Sequence, residues 1–169
     1  LWIAVAFSGT LALARAFERE RQHDVLRGLL LAPIDRPAIF VGKLLGIVLL
    51  MGVVELVVVP AIALLFRAPL FAYPFLMASL LGTGTLGFAA VGTLFAAMLI
   101  RTQSRAVLLP ILLYPMTVPV LIAGVGGTVA LLQPEANLAL AKFWLAMLVF
   151  LDVIYLTLAL WTFEPVMTE

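Results

Sequence analysis

The sequence predicts an all-α integral membrane protein, a polytopic helical bundle, and three observations carry that prediction. Of its 169 residues, 65% are apolar and 11% charged, and the mean hydropathy is +1.24, whereas a soluble domain is about half apolar and a quarter charged. The apolar residues are gathered into runs, most of them long enough to cross hydrocarbon about 30 Å thick, which takes roughly 20 residues of helix. These runs have neither the length of barrel strands, about ten residues, nor their alternation. A helix satisfies its own peptide groups and is the structure that lipid then permits.

Five runs follow in order, at 1–14, 38–66, 75–100, 106–132 and 143–163. The first is too short to span alone, and the chain begins at Leu1 rather than at Met, so it reads as N-terminally incomplete. It is not a signal peptide, because no basic start or cleavage site precedes Arg15. Pro60 interrupts the second run, and Pro110, Pro115 and Pro119 the fourth, where kinks are expected. With no repeat and no long linker, residues 1–169 form a single transmembrane domain.

Sidedness follows from Lys and Arg in the short loops, since cytoplasmic loops keep positive charge. Arg15, Arg19, Arg21, Arg27, Arg36, Arg101 and Arg105 fall on one side with Lys43 at its edge, against Arg67 and Lys142 on the other. The first side is therefore cytoplasmic, the C-terminus lies with it, and the outer loops are 67–74 and 133–142. Phe71, Tyr73, Phe75, Phe143 and Trp144 cluster at the outer ends and Trp161 and Phe163 near an inner one, as interfacial rings should.

The one dense polar stretch, at 15–37, reads RAFERERQHDVLRGLLLAPIDRP. Phe17, Val25, Leu26, Leu29 and Leu30 are spaced for a short amphipathic helix at about 16–31, ending before Pro33. Its charges (Glu18, Arg19, Glu20, Arg21, Asp24, Arg27) mix in sign, unlike a polybasic lipid patch, and suit a complementary protein groove. A solvated helix lying at the headgroups fits the spacing equally.

Other chemistry is sparse. The chain has no cysteine and a net charge of +1, which removes thiolate sites and gives no footprint for nucleic acid. Gly82, Gly84 and Gly87 match G-x-G-x-x-G, but inside an apolar span and not after a strand, so they read as helix-packing residues, as do Gly42 and Gly46. No phosphate-binding G-x-x-x-x-G-K-[ST] occurs, so any ATP must be bound by another chain. Glu55 and Asp152 lie well within spans, where an ionised side chain costs at least about 2.5 kcal/mol. They either face a pathway or bridge helices. No nucleophile accompanies them, and no catalytic residue or metal ligand is assigned. His23 reads as a solvated surface histidine rather than a haem ligand, and the six methionines as apolar filling.

The run FERERQHDVLRGLLLAPIDRPAIFVGK resembles the elbow of ABC exporters of the type-2 class, in which a short coupling helix enters the ATPase subunit. Within that class the whole chain resembles the CcmB family. The likeness rests on Phe17 with Glu20, on LLLAP at 29–33, on Gly42 and Lys43, on LGTGTLGFAAVGTLFA at 81–96 and on RAVLLPILLYPMTVPVLIAG at 105–124. The resemblance implies the membrane subunit of a haem export complex in cytochrome c biogenesis, in the bacterial inner membrane, with one further N-terminal helix and six spans in all. It implies contact with the ATPase subunit through Phe17, Glu18, Arg19, Glu20, Arg21, Asp24, Leu26, Arg27 and Pro33, with ATP hydrolysed on that partner. It further implies a homodimer of this chain with CcmA-like, CcmC-like and CcmD-like subunits and a CcmE-like haem chaperone, haem being handled by the complex. The rival expectations are a type-2 permease for a lipid, polysaccharide or drug, and an integral-membrane scaffold or enzyme.

Overall fold

The computed structural model describes the backbone at residues 1–22, 36–99 and 105–166 and the side chains at 1–15, 38–99 and 107–162. Among the described residues there are five helices and no strand: α1 Trp2–Gln22, α2 Arg36–Phe66, α3 Pro74–Met98, α4 Arg105–Leu132 and α5 Leu138–Val166. Four of them, α2 to α5, are long and apolar enough to cross a membrane, while the apolar part of α1 is the shorter Trp2–Arg15. The chain is thus an all-helical, multi-pass bundle, as composition predicts.

Two boundaries differ from the hydropathy reading. Helix α1 does not end where its apolar run does but continues unbroken to Gln22, because Arg15–Gln22 is built from good helix formers with no Gly or Pro to stop it. Helix α5 begins at Leu138 rather than near Phe143. Asn137 caps it, its Oδ1 accepting the Leu140 N–H at 2.9 Å. Hydropathy registers apolar length and is blind to that cap.

The α2–α3 turn is closed by the backbone. Arg67 takes φ 49° and the Ala68 N–H bonds the Ala63 carbonyl at 3.1 Å, the 6→1 bond of a Schellman end, with an arginine where glycine is usual. Pro74 then opens α3, where its missing N–H costs nothing. Neither α2 nor α4 is interrupted at its prolines, which all lie inside continuous helix.

Helix α3 is the centre. It packs against every other helix, and 61% of its membrane-crossing stretch is buried, against 17% in α2 and in α5. Small residues admit large ones to it. A Cβ at Gly84 of α3 or Gly124 of α4 would strike the Trp2 indole, and one at Gly92 would strike Leu13. Trp2 is 5% exposed, and its Nε1–H donates to Thr128 Oγ1 at 2.9 Å, so the indole is wedged among three helices with its one donor satisfied. The order of these contacts sets direction. Trp2 and Leu13 of α1 meet Gly84 and Gly92 of α3 in parallel, whereas Leu80 and Gly87 of α3 meet Gly127 and Val120 of α4 in reverse order. The end of α1 at Gln22 and the start of α4 at Arg105 then lie at one end of the bundle, and Arg67 and Lys142 at the other.

Several hydroxyls in the helices are returned to the helix backbone. Thr10, Thr83 and Thr117 each bond a carbonyl four residues back, Ala6, Ser79 and Leu113, which meets the demand that lipid makes of every polar group.

Candidate functional site

Polar chemistry within the spans gathers on the two flanks of α3. Thr85 and Gly87 are two positions apart, about 200° around the helix at 3.6 residues per turn, so they look to opposite sides. Thr85 meets α2, its Oγ1–H donating in a short hydrogen bond to Glu55 Oε1. Gly87 meets α5 and α4, where a Cβ would stand 2.5 Å from Asp152 Oδ1 and 3.4 Å from Val120 Cγ2. Glu55 and Asp152 thus sit on separate faces of one helix and do not form an acid–base pair.

Their surroundings differ. Asp152 is sealed, at 4% exposure, and its Oδ1 has no hydrogen-bond partner. One turn along α5, the Tyr155 hydroxyl is taken up by the Met116 carbonyl at 2.7 Å, in the proline-rich part of α4 where the helical ladder lacks donors. Thr93 Oγ1 on α3 is likewise buried without a partner. Glu55 is half-buried and lines a cleft of about 400 Å³ between α2, the 67–73 turn and α3, walled by Leu56, Val59, Leu70, Phe71, Met77 and Leu81.

The sequence-predicted residues distribute as follows. Glu55 ties α2 to α3 through Thr85, and Asp152 packs against Gly87 of α3. Gly84 lies against Trp2 and Gly87 against Asp152, where a Cβ would not fit. Close packing does not account for Gly42, Gly46 and Gly82: a Cβ at any of them meets nothing within 4 Å among the described residues. Gly82 instead lines the cleft, while Gly42 and Gly46 lie on an exposed part of α2. The G-x-G-x-x-G match lies wholly inside α3, so it forms no phosphate loop. Phe17, Glu18, Arg19, Glu20 and Arg21 lie on the backbone continuation of α1, with side chains outside the description. His23, Asp24, Leu26, Arg27 and Pro33 lie outside the described residues. Among the described residues no His, Cys, Asp and Glu cluster could hold a metal.

Sequence reasoning missed Trp2, Thr85, Thr128 and Tyr155. Each is a polar or amphipathic group in a span that must find a partner. That signal marks the residues but does not pair them.

Comparison with known proteins bears on the whole chain. The family model described as "CcmB protein" matches residues 1–167. Over 133 residues the chain is 29% identical to Heme exporter protein B of Pseudomonas aeruginosa, a stretch that is 79% of this chain and 59% of that protein. Over 124 residues it is 33% identical to Heme exporter protein B of Paracoccus denitrificans, covering 73% of this chain and 56% of the relative. The chain therefore spans less than two thirds of the length of either relative.

Proposed function

The chain belongs to the CcmB family, and from that premise we propose that it is the membrane subunit of an ABC-type haem exporter serving cytochrome c biogenesis. The observation that carries the reading is the family match over residues 1–167, joined by two relatives named as haem exporters. In this reading the subunit is not itself an enzyme. ATP is hydrolysed by a CcmA-like partner, in a complex with a second copy of this chain, CcmC-like and CcmD-like subunits and a CcmE-like chaperone that receives haem.

The arginine-rich end of the bundle faces the cytoplasm, by the charge asymmetry that holds basic loops inside, and the C-terminus lies with it in the bacterial inner membrane. The segment at about 16–31 docks in the ATPase subunit, where its alternating acids and bases set the register. Helix α1 supplies the linkage. It is one continuous helix from Trp2 to Gln22, so a push on its charged end moves a stiff rod about 30 Å long at 1.5 Å per residue. The far end of that rod is the Trp2 wedge between Gly84 and Gly124, through which closure of the ATPase reaches α3 and α4.

The test is paired charge reversal, Glu20→Lys with Asp24→Lys. It is expected to weaken co-purification of the ATPase subunit about tenfold or more, since like charges face to face cost several kcal/mol. Unchanged co-purification together with unchanged stimulation of ATP hydrolysis removes the coupling-helix assignment.

A further inference from the structure

Of the two carboxyls within the spans, Asp152 is buried at 4% exposure, whereas Glu55, among the described residues, opens on a space large enough for a ligand. We propose that the α2–α3 cleft is a binding site for a lipophilic amine, its hydrocarbon body lying along the cleft wall and its ammonium head on Glu55.

Size and shape support this first. At about 400 Å³ the cleft falls within the range of small-molecule sites, about 300–1,000 Å³. It runs from Leu70 and Phe71 at the α2–α3 turn down to Glu55. Glu55 lies eleven residues before the end of α2 at Phe66, about 16 Å along the helix, so the carboxyl stands deep in the hydrocarbon. The wall between is apolar and receives a hydrocarbon body.

Charge selects the head group. Among the described residues Glu55 is the one ionisable side chain lining the cleft, and it accepts a hydrogen bond from the Thr85 hydroxyl. That bond occupies one of about four lone-pair sites on a carboxylate. There is also room at this level, because a Cβ at Gly52 or Gly82, both lining residues, meets nothing within 4 Å among the described residues. An ammonium ion supplies the missing counter-charge and donors. Beside a neutral chain the carboxyl keeps its proton and gains at most a hydrogen bond, and an acid of the same length brings no counter-charge, so the ion pair forms with the amine. The cleft therefore discriminates by charge, which a groove for bilayer acyl chains does not.

The experiment uses the protein in lipid nanodiscs and three fluorescent probes with one dansyl-tagged hydrocarbon chain, ending in a primary amine, a carboxylate or an alcohol. The amine is expected to bind saturably and to resist competition by the other two. Glu55→Gln is expected to weaken it about ten- to a hundredfold, the worth of a charge-assisted hydrogen bond. Gly82→Leu, which fills the cleft and leaves the charge in place, is expected to weaken it as well. Equal binding of the three probes to the unaltered protein overturns the proposal and makes the cleft a lipid groove, and that comparison needs no variant to fold. Undiminished amine binding to Glu55→Gln overturns it equally. The assay reads binding alone, so its outcome is independent of the haem-export reading.

Discussion

At the scale of single residues, the same residue type has opposite meanings according to what stands across from it. Gly82 and Gly87 lie on one helix, yet a Cβ at Gly87 meets Asp152 Oδ1 and one at Gly82 meets nothing within 4 Å. Gly87→Ala is therefore expected to destabilise the bundle by about 1–3 kcal/mol, the usual cost of overpacking. Gly82→Ala is expected to be neutral or to stabilise by about 0.5–1 kcal/mol, because alanine is the better helix former. Thermal unfolding of both variants in one detergent checks the contrast, and equal losses would remove the assigned Gly87 contact. The intramembrane carboxyls were legible in the sequence as residues needing partners. The groups they face, Thr85 and Gly87, were not, since a carboxyl half a turn round its helix meets a different neighbour altogether.

At the scale of elements, helix ends depend on local chemistry that hydropathy does not report. The Asn137 side chain caps α5 through the Leu140 N–H, and Asn137→Ala is expected to lower stability by about 1 kcal/mol, read as a lower melting temperature. Arg67 holds a left-handed backbone at the end of α2. Arg67→Val, which places a β-branched residue where the left-handed region is least tolerant, is expected to cost about 1–2 kcal/mol. Retained stability in that variant would show that the turn has another conformation open to it. Both ends carried visible signals, an asparagine before an apolar run and a Pro-containing turn after one. Helix at 16–22 was legible from apolar spacing, but not that it continues α1 without a break, since a charged segment looks like a boundary wherever lipid stops.

At the scale of the whole molecule, α3 is the hub on which the other helices are hung, and the helix ends at Gln22, Met98 and Arg105 share one end of the bundle. The chain has no cysteine, which makes it a clean background for labelling. A membrane-impermeant maleimide added from outside is expected to modify Phe71→Cys and to spare Thr102→Cys until the membrane is opened. The reverse pattern would invert the proposed sidedness and with it the docking of an ATPase on the 16–31 segment.

What the sequence by itself determined is that the chain crosses lipid as helices, roughly where each one runs, and which end bears the positive charge. These follow from one-dimensional quantities, apolar length against hydrocarbon thickness and the count of arginines per loop. Only the tertiary structure decided which face of each helix is inward. In a soluble bundle, water sorts the faces and leaves an amphipathic stripe to read. In lipid both faces are apolar, and the choice falls to close packing of small residues against large ones and to the few polar groups that must meet. Trp2 between Gly84 and Gly124, and Glu55 against Thr85, are choices of that kind, made between residues up to 122 positions apart.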